Sequence, residues 1–251
     1  MPLPASGFWT DLHNAADGLF VGDCWTNCNS YFCKTNHSTQ DFSLMKCDAA
    51  GMVFPAEEFN FLKDNGILQD GHGESSRAHE FCFDDEAGRT LKFVTANCDL
   101  GGMCSNAKWR PLICKFYPLY PVVKPGQEKI DSYTFGSIID QYWDELGIEH
   151  PCWLYRTKSD VIDAGINRKA APLLQVPYIA FYLTAANVFV KHVAANTERS
   201  AGLSHETDPR KFFRDWEIQY LTGGHVNVDD LKAELREVYS NIANHYGEFA
   251  I

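Results

Sequence analysis

Apolar residues in the second half of the chain recur at helical spacing. Between Phe135 and Leu146 they return every three or four positions, which predicts a helix that ends at Gly147. The same periodicity predicts further helices over residues 159–166, 173–195, 209–221 and 228–246. The second half of the chain is therefore expected to be mostly helical.

The first half shows shorter segments. Residues 52–54 predict a short strand, and the proline and acidic residues behind it predict a helix that runs through Lys63. Residues 79–83 and 89–95 alternate apolar and polar positions on either side of an acidic turn, which predicts a β-hairpin. The second strand of this hairpin leads directly towards Cys98.

These patterns together predict an α+β fold in two parts. Residues 1–126 form a cysteine-rich, metal-binding part with a short hairpin and loops, and residues 127–251 form a helical part packed against it. Pro118, Pro121 and Gly126 are typical of a stiff connection, and they set the expected boundary.

Composition excludes several classes of function. The chain has 251 residues, 45% of them hydrophobic and 14% aromatic, which is enough for a substantial core. Its formal net charge is -11, so the positive field that holds nucleic acid or an anionic membrane is absent. We expect neither of them to be a partner.

The same patterns bear on localisation. The first residues lack the basic start and apolar run of a signal peptide. The longest apolar run, from Val176 to Val190, is shorter than the roughly 20 residues that a membrane helix requires, and it contains Pro177 and Asn187. We therefore expect a buried helix in a cytoplasmic protein.

The distribution of the nine cysteines indicates a metal site. Eight of them precede residue 115, and disulfide frameworks are rare in reducing compartments. Two groups lie in loop-like segments that contain glycine, asparagine or proline: Cys24, Cys28 and Cys33, and then Cys98, Cys104 and Cys114. Grouped thiolates require a cation to offset their mutual repulsion. These six residues are the predicted metal ligands.

The spacing within each group does not by itself identify the metal. Neither Cys24-x3-Cys28-x4-Cys33 nor Cys98-x5-Cys104-x9-Cys114 matches a zinc finger, and the first also departs from the Cys-x3-Cys-x2-Cys pattern of radical S-adenosylmethionine enzymes. Cys47 remains open as a substitute ligand. We predict that Cys82 and Cys152 are packing residues.

The run from Cys98 through Arg110-Pro111 to Cys114 and Pro118 resembles the YkgJ-type cysteine-cluster family, described as chelating zinc or iron. Residues 52–58 are similar to the apolar-then-acidic stretch that separates the two cysteine groups in that family. Flagellin lysine N-methylases, which are associated with an iron–sulfur cluster, look similar in the same pattern. Arg110 lies between two predicted ligands, where its guanidinium would offset thiolate charge and donate hydrogen bonds.

Three functions follow as hypotheses. The first is an iron–sulfur protein with a [4Fe-4S] cluster on cysteines from both groups, because more soft ligands are present than one zinc ion needs and the methylase resemblance implies iron. The second is a structural zinc site in a protein-interaction module. The third is an oxidoreductase or protein-modifying transferase with a cluster or mononuclear iron, acting on a small molecule or a protein. The sequence names no catalytic residue and no substrate.

Overall fold

A computed structural model gives the fold of the chain. It describes residues 6–16, 50–68, 76–98, 109–117, 119–127, 130, 132–135, 140–147, 149, 152, 170–201 and 208–251. Within these residues the fold is mixed α and β, as predicted, with a small antiparallel sheet and several helices.

Three antiparallel strands form the main sheet, in the order β1-β3-β2. The strands are β1 (Ala50–Pro55), β2 (Arg77–Asp84) and β3 (Arg89–Cys98). The hairpin of β2 and β3 confirms the prediction, and the positive φ of 66° at Gly88 suits a residue without a side chain in its turn. β1 confirms the predicted short strand and pairs with the other side of β3.

The first two helices lie beside this sheet. Helix α1 spans Ser6–Ala15 and buries Trp9 and Leu12. Helix α2 spans Ala56–Asp64 and confirms the predicted helix after β1. Its first turn contains Glu57 and Glu58, where carboxylates interact favourably with the helix dipole.

A second, two-stranded sheet corrects the prediction for Phe135. Strands β4 (Leu119–Pro121) and β5 (Tyr133–Phe135) pair antiparallel, so Phe135 lies in a strand and does not begin a helix. The preceding helix, α3, spans Leu112–Phe116, and the following helix, α4, spans Asp140–Glu145. Phe135 pairs with Leu119 on a strand earlier in the chain, and this pairing outweighs the helical periodicity around Phe135.

The predicted helix over 173–195 is divided in the structure. A 3₁₀ turn spans Leu173–Gln175, Val176 is extended, and helix α5 begins at Pro177 and continues to Ala201. Proline is favoured in the first turn of a helix because an N–H at that position would have no partner. The apolar periodicity predicted a helix here but not this interruption.

Helix α5 is also long and apolar enough to cross a membrane over Pro177–Thr197, contrary to the length argument from the shorter run. Half of that window is buried inside the protein. Its buried residues include Ile179 and Phe181, and Asn187 donates a hydrogen bond to Pro121 O. These contacts pack α5 against the core of the described residues.

The last two helices have the predicted bounds. Helix α6 spans Pro209–Leu221 and helix α7 spans Val228–Tyr246. Asp208 caps the first by accepting a hydrogen bond from Arg210 N, and Asn227 caps the second. The helix predicted over 159–166 lies outside the described residues.

The main apolar core contains residues from both predicted parts of the chain. Phe83 on β2 is fully buried against Phe181 on α5 and Tyr239 on α7, with ring centroids 5.4 and 6.3 Å away. A smaller cluster joins α4, α5 and α6 through residues that include Trp143, Val193 and Trp216. Cys152 is buried, consistent with the predicted packing role.

Candidate metal centre

Most of the predicted ligands lie outside the described residues. These are Cys24, Cys28, Cys33 and Cys104, together with the open candidate Cys47. The structure describes the backbone position of Cys98 and the whole of Cys114. Among the described residues, no three His, Cys, Asp or Glu side chains are grouped so as to hold a metal ion.

Cys98 occupies the last position of β3, opposite Ala50 at the start of β1. The pairing is fixed by the core, because Val94 and Ala96 on β3 are buried and pair with Phe54 and Met52. A slip of one residue would turn this apolar face to solvent. The register therefore holds the backbone of Cys98 firmly at one end of the sheet.

Cys114 lies in the short helix α3, which starts after Pro111. Its thiol is half-buried and donates a hydrogen bond to the thioether sulfur of Met52, with 3.3 Å between Sγ and Sδ. Met52 is itself buried on β1. The segment after Arg110 therefore packs against β1, which pairs with β3, the strand that ends at Cys98.

The strand register relates these two cysteines. Met52 pairs with Ala96, two positions before Cys98, so the positions of Met52 and Cys98 are diagonal neighbours on adjacent strands. Such positions are about 7–8 Å apart. Cys98 and Cys114, which are separated by fifteen residues of sequence, are thereby brought to the same end of the sheet.

A buried polar cluster fixes helix α3, and sequence reasoning missed it. Glu58 on α2 accepts a hydrogen bond from Leu112 N through Oε1 at 2.8 Å, and the same oxygen lies 3.2 Å from His13 Nε2. The His13 contact has an ion-pair distance but lacks hydrogen-bond geometry. Lys115 Nζ lies 3.3 Å from both Nδ1 and the carbonyl oxygen of His13.

All three side chains in this cluster are buried, with exposed fractions of 0% for His13 and Glu58 and 3% for Lys115. An ammonium only donates, so a protonated Lys115 would use His13 Nδ1 as its acceptor. The cluster joins α1, α2 and α3 and thereby determines where Cys114 lies. The available signal in the sequence was a pair of acidic residues opening α2 and a lysine directly after a predicted ligand.

Three tyrosines surround this region as hydrogen-bond donors. Burial raises the pKa of Tyr120, Tyr178 and Tyr182, and the negative charge of nearby acidic groups raises it further. Tyr120 donates to Ile113 O within α3, and Tyr182 donates to Val53 O on β1, at 3.4 and 3.1 Å. Tyr178 donates to the Glu57 carboxylate. Helix α5 thus contributes two side chains that contact α2 and β1.

Arg110 is half-buried and directly precedes Pro111, the N-cap residue of α3. Its predicted role beside thiolates concerns neighbours that include undescribed cysteines, so this role stays a prediction. Cys82 lies half-buried in β2. Its position in a strand agrees with the predicted packing role.

Comparisons with protein-family models, curated proteins and solved structures found no match to this chain. The resemblance of its cysteine segments to the YkgJ-type family and to flagellin lysine N-methylases therefore stays a prediction. The predicted ligands are cysteines, whose thiolates are soft donors that suit iron or zinc. A complete metal site would also need cysteines outside the described residues.

Proposed function

We propose that this chain binds an iron–sulfur cluster, most simply a [4Fe-4S] cluster, on cysteines drawn from both groups. The ligands would come from Cys24, Cys28 and Cys33 and from Cys98, Cys104 and Cys114. The observation that carries the proposal is the register of β1 and β3, combined with the contact of Cys114 with Met52. Together they bring two cysteines of the second group to one end of the sheet.

The surroundings of Cys114 support a role beyond packing. A buried carboxylate, imidazole and amine hold the short helix that carries this residue. The hydrogen bonds of this cluster link α3 to α2 and to α1 and so give the position of Cys114 precision, although His13 Nε2 and Glu58 Oε2 have no hydrogen-bond partner within the part of the chain that the structure describes. Such precision is what a ligand cysteine requires. When bound, the cluster would supply one-electron redox chemistry or an iron that activates a substrate.

Elemental and acid-labile sulfide analysis of anaerobically purified protein tests the proposal. Comparable iron and sulfide with a broad visible absorption band is the expected result. Cys114→Ser should lower the iron and sulfide content and weaken this band. Cys82→Ser is the matched control, because it removes a half-buried thiol from β2 that is not a predicted ligand.

Two outcomes would overturn the proposal. Wild-type protein without iron would exclude the cluster, and about one zinc ion per chain would instead favour the structural zinc site. Equal iron content in wild type and Cys114→Ser would remove Cys114 from the ligand set.

A further inference from the structure

Residues 247–251 follow α7 and fold back onto the protein, and we call them the strap. Gly247, which caps α7, has a φ of 86°, a conformation that suits a residue without a side chain. Glu248 is exposed, Phe249 is buried, and the two residues after it are half-buried. One aromatic side chain is thus the anchor of a short and otherwise accessible segment.

An aromatic pocket holds this anchor. The ring of Phe249 stacks on Tyr239 of α7 at a centroid distance of 4.7 Å and meets Phe181 of α5 edge-on at 6.1 Å. Phe83 of β2 packs against both of these rings. The walls that these contacts define come from three elements of the main core, so they are present without the strap.

Two polar groups lie beside the pocket and contact the strap. The Tyr239 hydroxyl lies 2.7 Å from Glu248 Oε2 and 2.8 Å from Phe249 O, and it donates its one proton to these acceptors. Burial and the Glu248 carboxylate raise the pKa of Tyr239, which keeps the hydroxyl protonated as a donor. Arg89 Nη2 lies 3.5 Å from the same Glu248 oxygen. A carboxylate followed by an aromatic ring is therefore recognised through both of its side chains.

Arg89 is held in place by groups outside the strap. Its Nη1 donates to Asp84 Oδ2 at 2.7 Å, and its guanidinium lies 4.2 Å from the centroid of the Tyr239 ring. The Arg89 side chain is nevertheless 30% exposed, and that of Glu248 is 73% exposed. A group fixed in this way loses little conformational freedom when a ligand binds. The polar side of the pocket is thus pre-organised and open to solvent.

We propose that this pocket binds a segment of another protein in which an acidic residue directly precedes a phenylalanine, and that the strap occupies the site as an internal mimic. Rotation about Gly247 releases the strap, because glycine reaches backbone conformations that other residues avoid. The incoming segment replaces the ring of Phe249 and the carboxylate of Glu248. None of the residues that form the pocket is a predicted metal ligand, so the proposal is independent of the iron–sulfur cluster.

A second copy of this chain is a poorer occupant than another protein. Its strap would make the contacts that the resident strap already makes, and association costs translational freedom. A different protein can add contacts beyond these two residues, since the Arg89 side chain is partly exposed beside the pocket. The chemistry of the site therefore favours a partner with an acidic–aromatic pair.

Fluorescence anisotropy with a labelled peptide of the strap sequence, Gly-Glu-Phe-Ala-Ile, tests the proposal on the full chain. Phe249→Ala should empty the pocket and tighten peptide binding by about tenfold or more, because a site filled by its own strap for about nine-tenths of the time binds about tenfold more weakly. Asn244→Ala, at an exposed position near the end of α7, is the matched control and should bind as weakly as wild type. A peptide with alanine in place of phenylalanine should bind none of these proteins.

Two further variants keep the test independent of any loss of folding. Glu248→Ala removes an exposed side chain and should tighten peptide binding by a smaller factor than Phe249→Ala. Adding Tyr239→Phe to Phe249→Ala removes the hydroxyl donor and should weaken peptide binding relative to Phe249→Ala alone. Circular dichroism checks the fold of each protein, and Glu248→Ala decides the test if Phe249→Ala does not fold.

Three outcomes would overturn the proposal. Equal peptide affinity in wild type, Glu248→Ala and folded Phe249→Ala would make the strap a fixed part of the core. Equal binding of the phenylalanine and alanine peptides would remove the acidic–aromatic pair as the recognised feature. Sedimentation of wild type as a dimer that the free peptide dissociates would assign the pocket to exchange of the strap between copies, and not to another protein.

Discussion

Lys115 Nζ lies 3.3 Å from His13 Nδ1 in the protein interior, although the two residues are separated by 102 positions in the chain. Glu58 completes this contact by facing the other ring nitrogen of His13 and by accepting a hydrogen bond from α3. The interaction joins three helices at the point where Cys114 lies. Its disruption should therefore affect stability and the proposed metal site together.

Glu58→Ala should lower the free energy of unfolding by about 3–5 kcal/mol, because it removes one member of a buried charged cluster. Glu58→Gln should cost less, since its amide oxygen can still accept from Leu112 N. Urea unfolding measures both variants. Asp64→Ala, at an exposed position of the same helix, is the control and should change stability by less than about 0.5 kcal/mol. Equal losses for Glu58→Ala and Asp64→Ala would contradict the role of the cluster.

Arg110→Ala tests the predicted charge effect on the cluster. Removing a cation near an anionic iron–sulfur centre disfavours its more negative, reduced form, so the reduction potential should fall while iron is retained. Arg110→Lys should give a smaller fall, because lysine keeps the charge but loses the planar set of donors. Redox titration followed by visible absorption provides the measurement. An unchanged potential in Arg110→Ala would assign Arg110 to an ordinary turn.

Asn227 stabilises the start of α7. Its side-chain oxygen accepts from Asp229 N and Asp230 N at 3.1 and 3.4 Å. Asn227→Ala should therefore cost about 0.5–2 kcal/mol, whereas Asn227→Asp keeps the acceptor and should be close to neutral. Thermal unfolding followed by circular dichroism distinguishes them. Matching melting temperatures for wild type and Asn227→Ala would exclude a contribution from the cap.

His225 should make stability fall in mild acid. Its side chain is buried, donates from Nε2 to Trp216 O at 2.9 Å, and has a pKa lowered by burial. Below about pH 6.5, the ordinary histidine pKa, the unfolded chain binds the proton more readily than the folded chain does. Stability contributed by neutral His225 is therefore present above that pH and is lost as the pH falls towards the lower, folded pKa.

Urea unfolding at about pH 7.5 and about pH 5.5, on either side of the ordinary histidine pKa, measures this effect. Wild type should lose more stability across this interval than His225→Gln, whose amide can still donate to Trp216 O. If both proteins lose the same amount, His225 is not the residue responsible.

Phe83→Ala should cost about 3–5 kcal/mol, because its fully buried ring fills the space between β2, α5 and α7. Phe83→Leu fills part of that space and should cost less. Denaturant unfolding with probes in both predicted parts would show one transition that shifts in each variant. A shift confined to residues 1–126 would instead support two independent folding units.

Local signals were sufficient for much of this fold. The β2–β3 hairpin follows from alternation on either side of Gly88, and α6 and α7 follow from apolar periodicity with caps at Asp208 and Asn227. Each of these features depends on residues close together in the chain. The interruption at Val176 was missed because apolar character continues across it without a change of pattern.

Long-range contacts were the part that the sequence could not supply. Phe135 joins a strand because Leu119 lies opposite it, and nothing near Phe135 predicts that pairing. In the candidate site, cysteine spacing identified Cys98 and Cys114 but not their relation to Met52, which depends on strand register. Glu58, His13 and Lys115 come from three separate segments, so no local motif marks them.

The position of α7 against the hairpin also has a consequence for folding kinetics. Lys232 binds Asp85, and Arg236 donates to Phe83 O, across 147 and 153 positions of the chain. Contacts between such distant residues slow folding, because a long loop must close before they are gained. During synthesis, the hairpin can form early, but Phe83 is fully covered only after both α5 and α7 have been made.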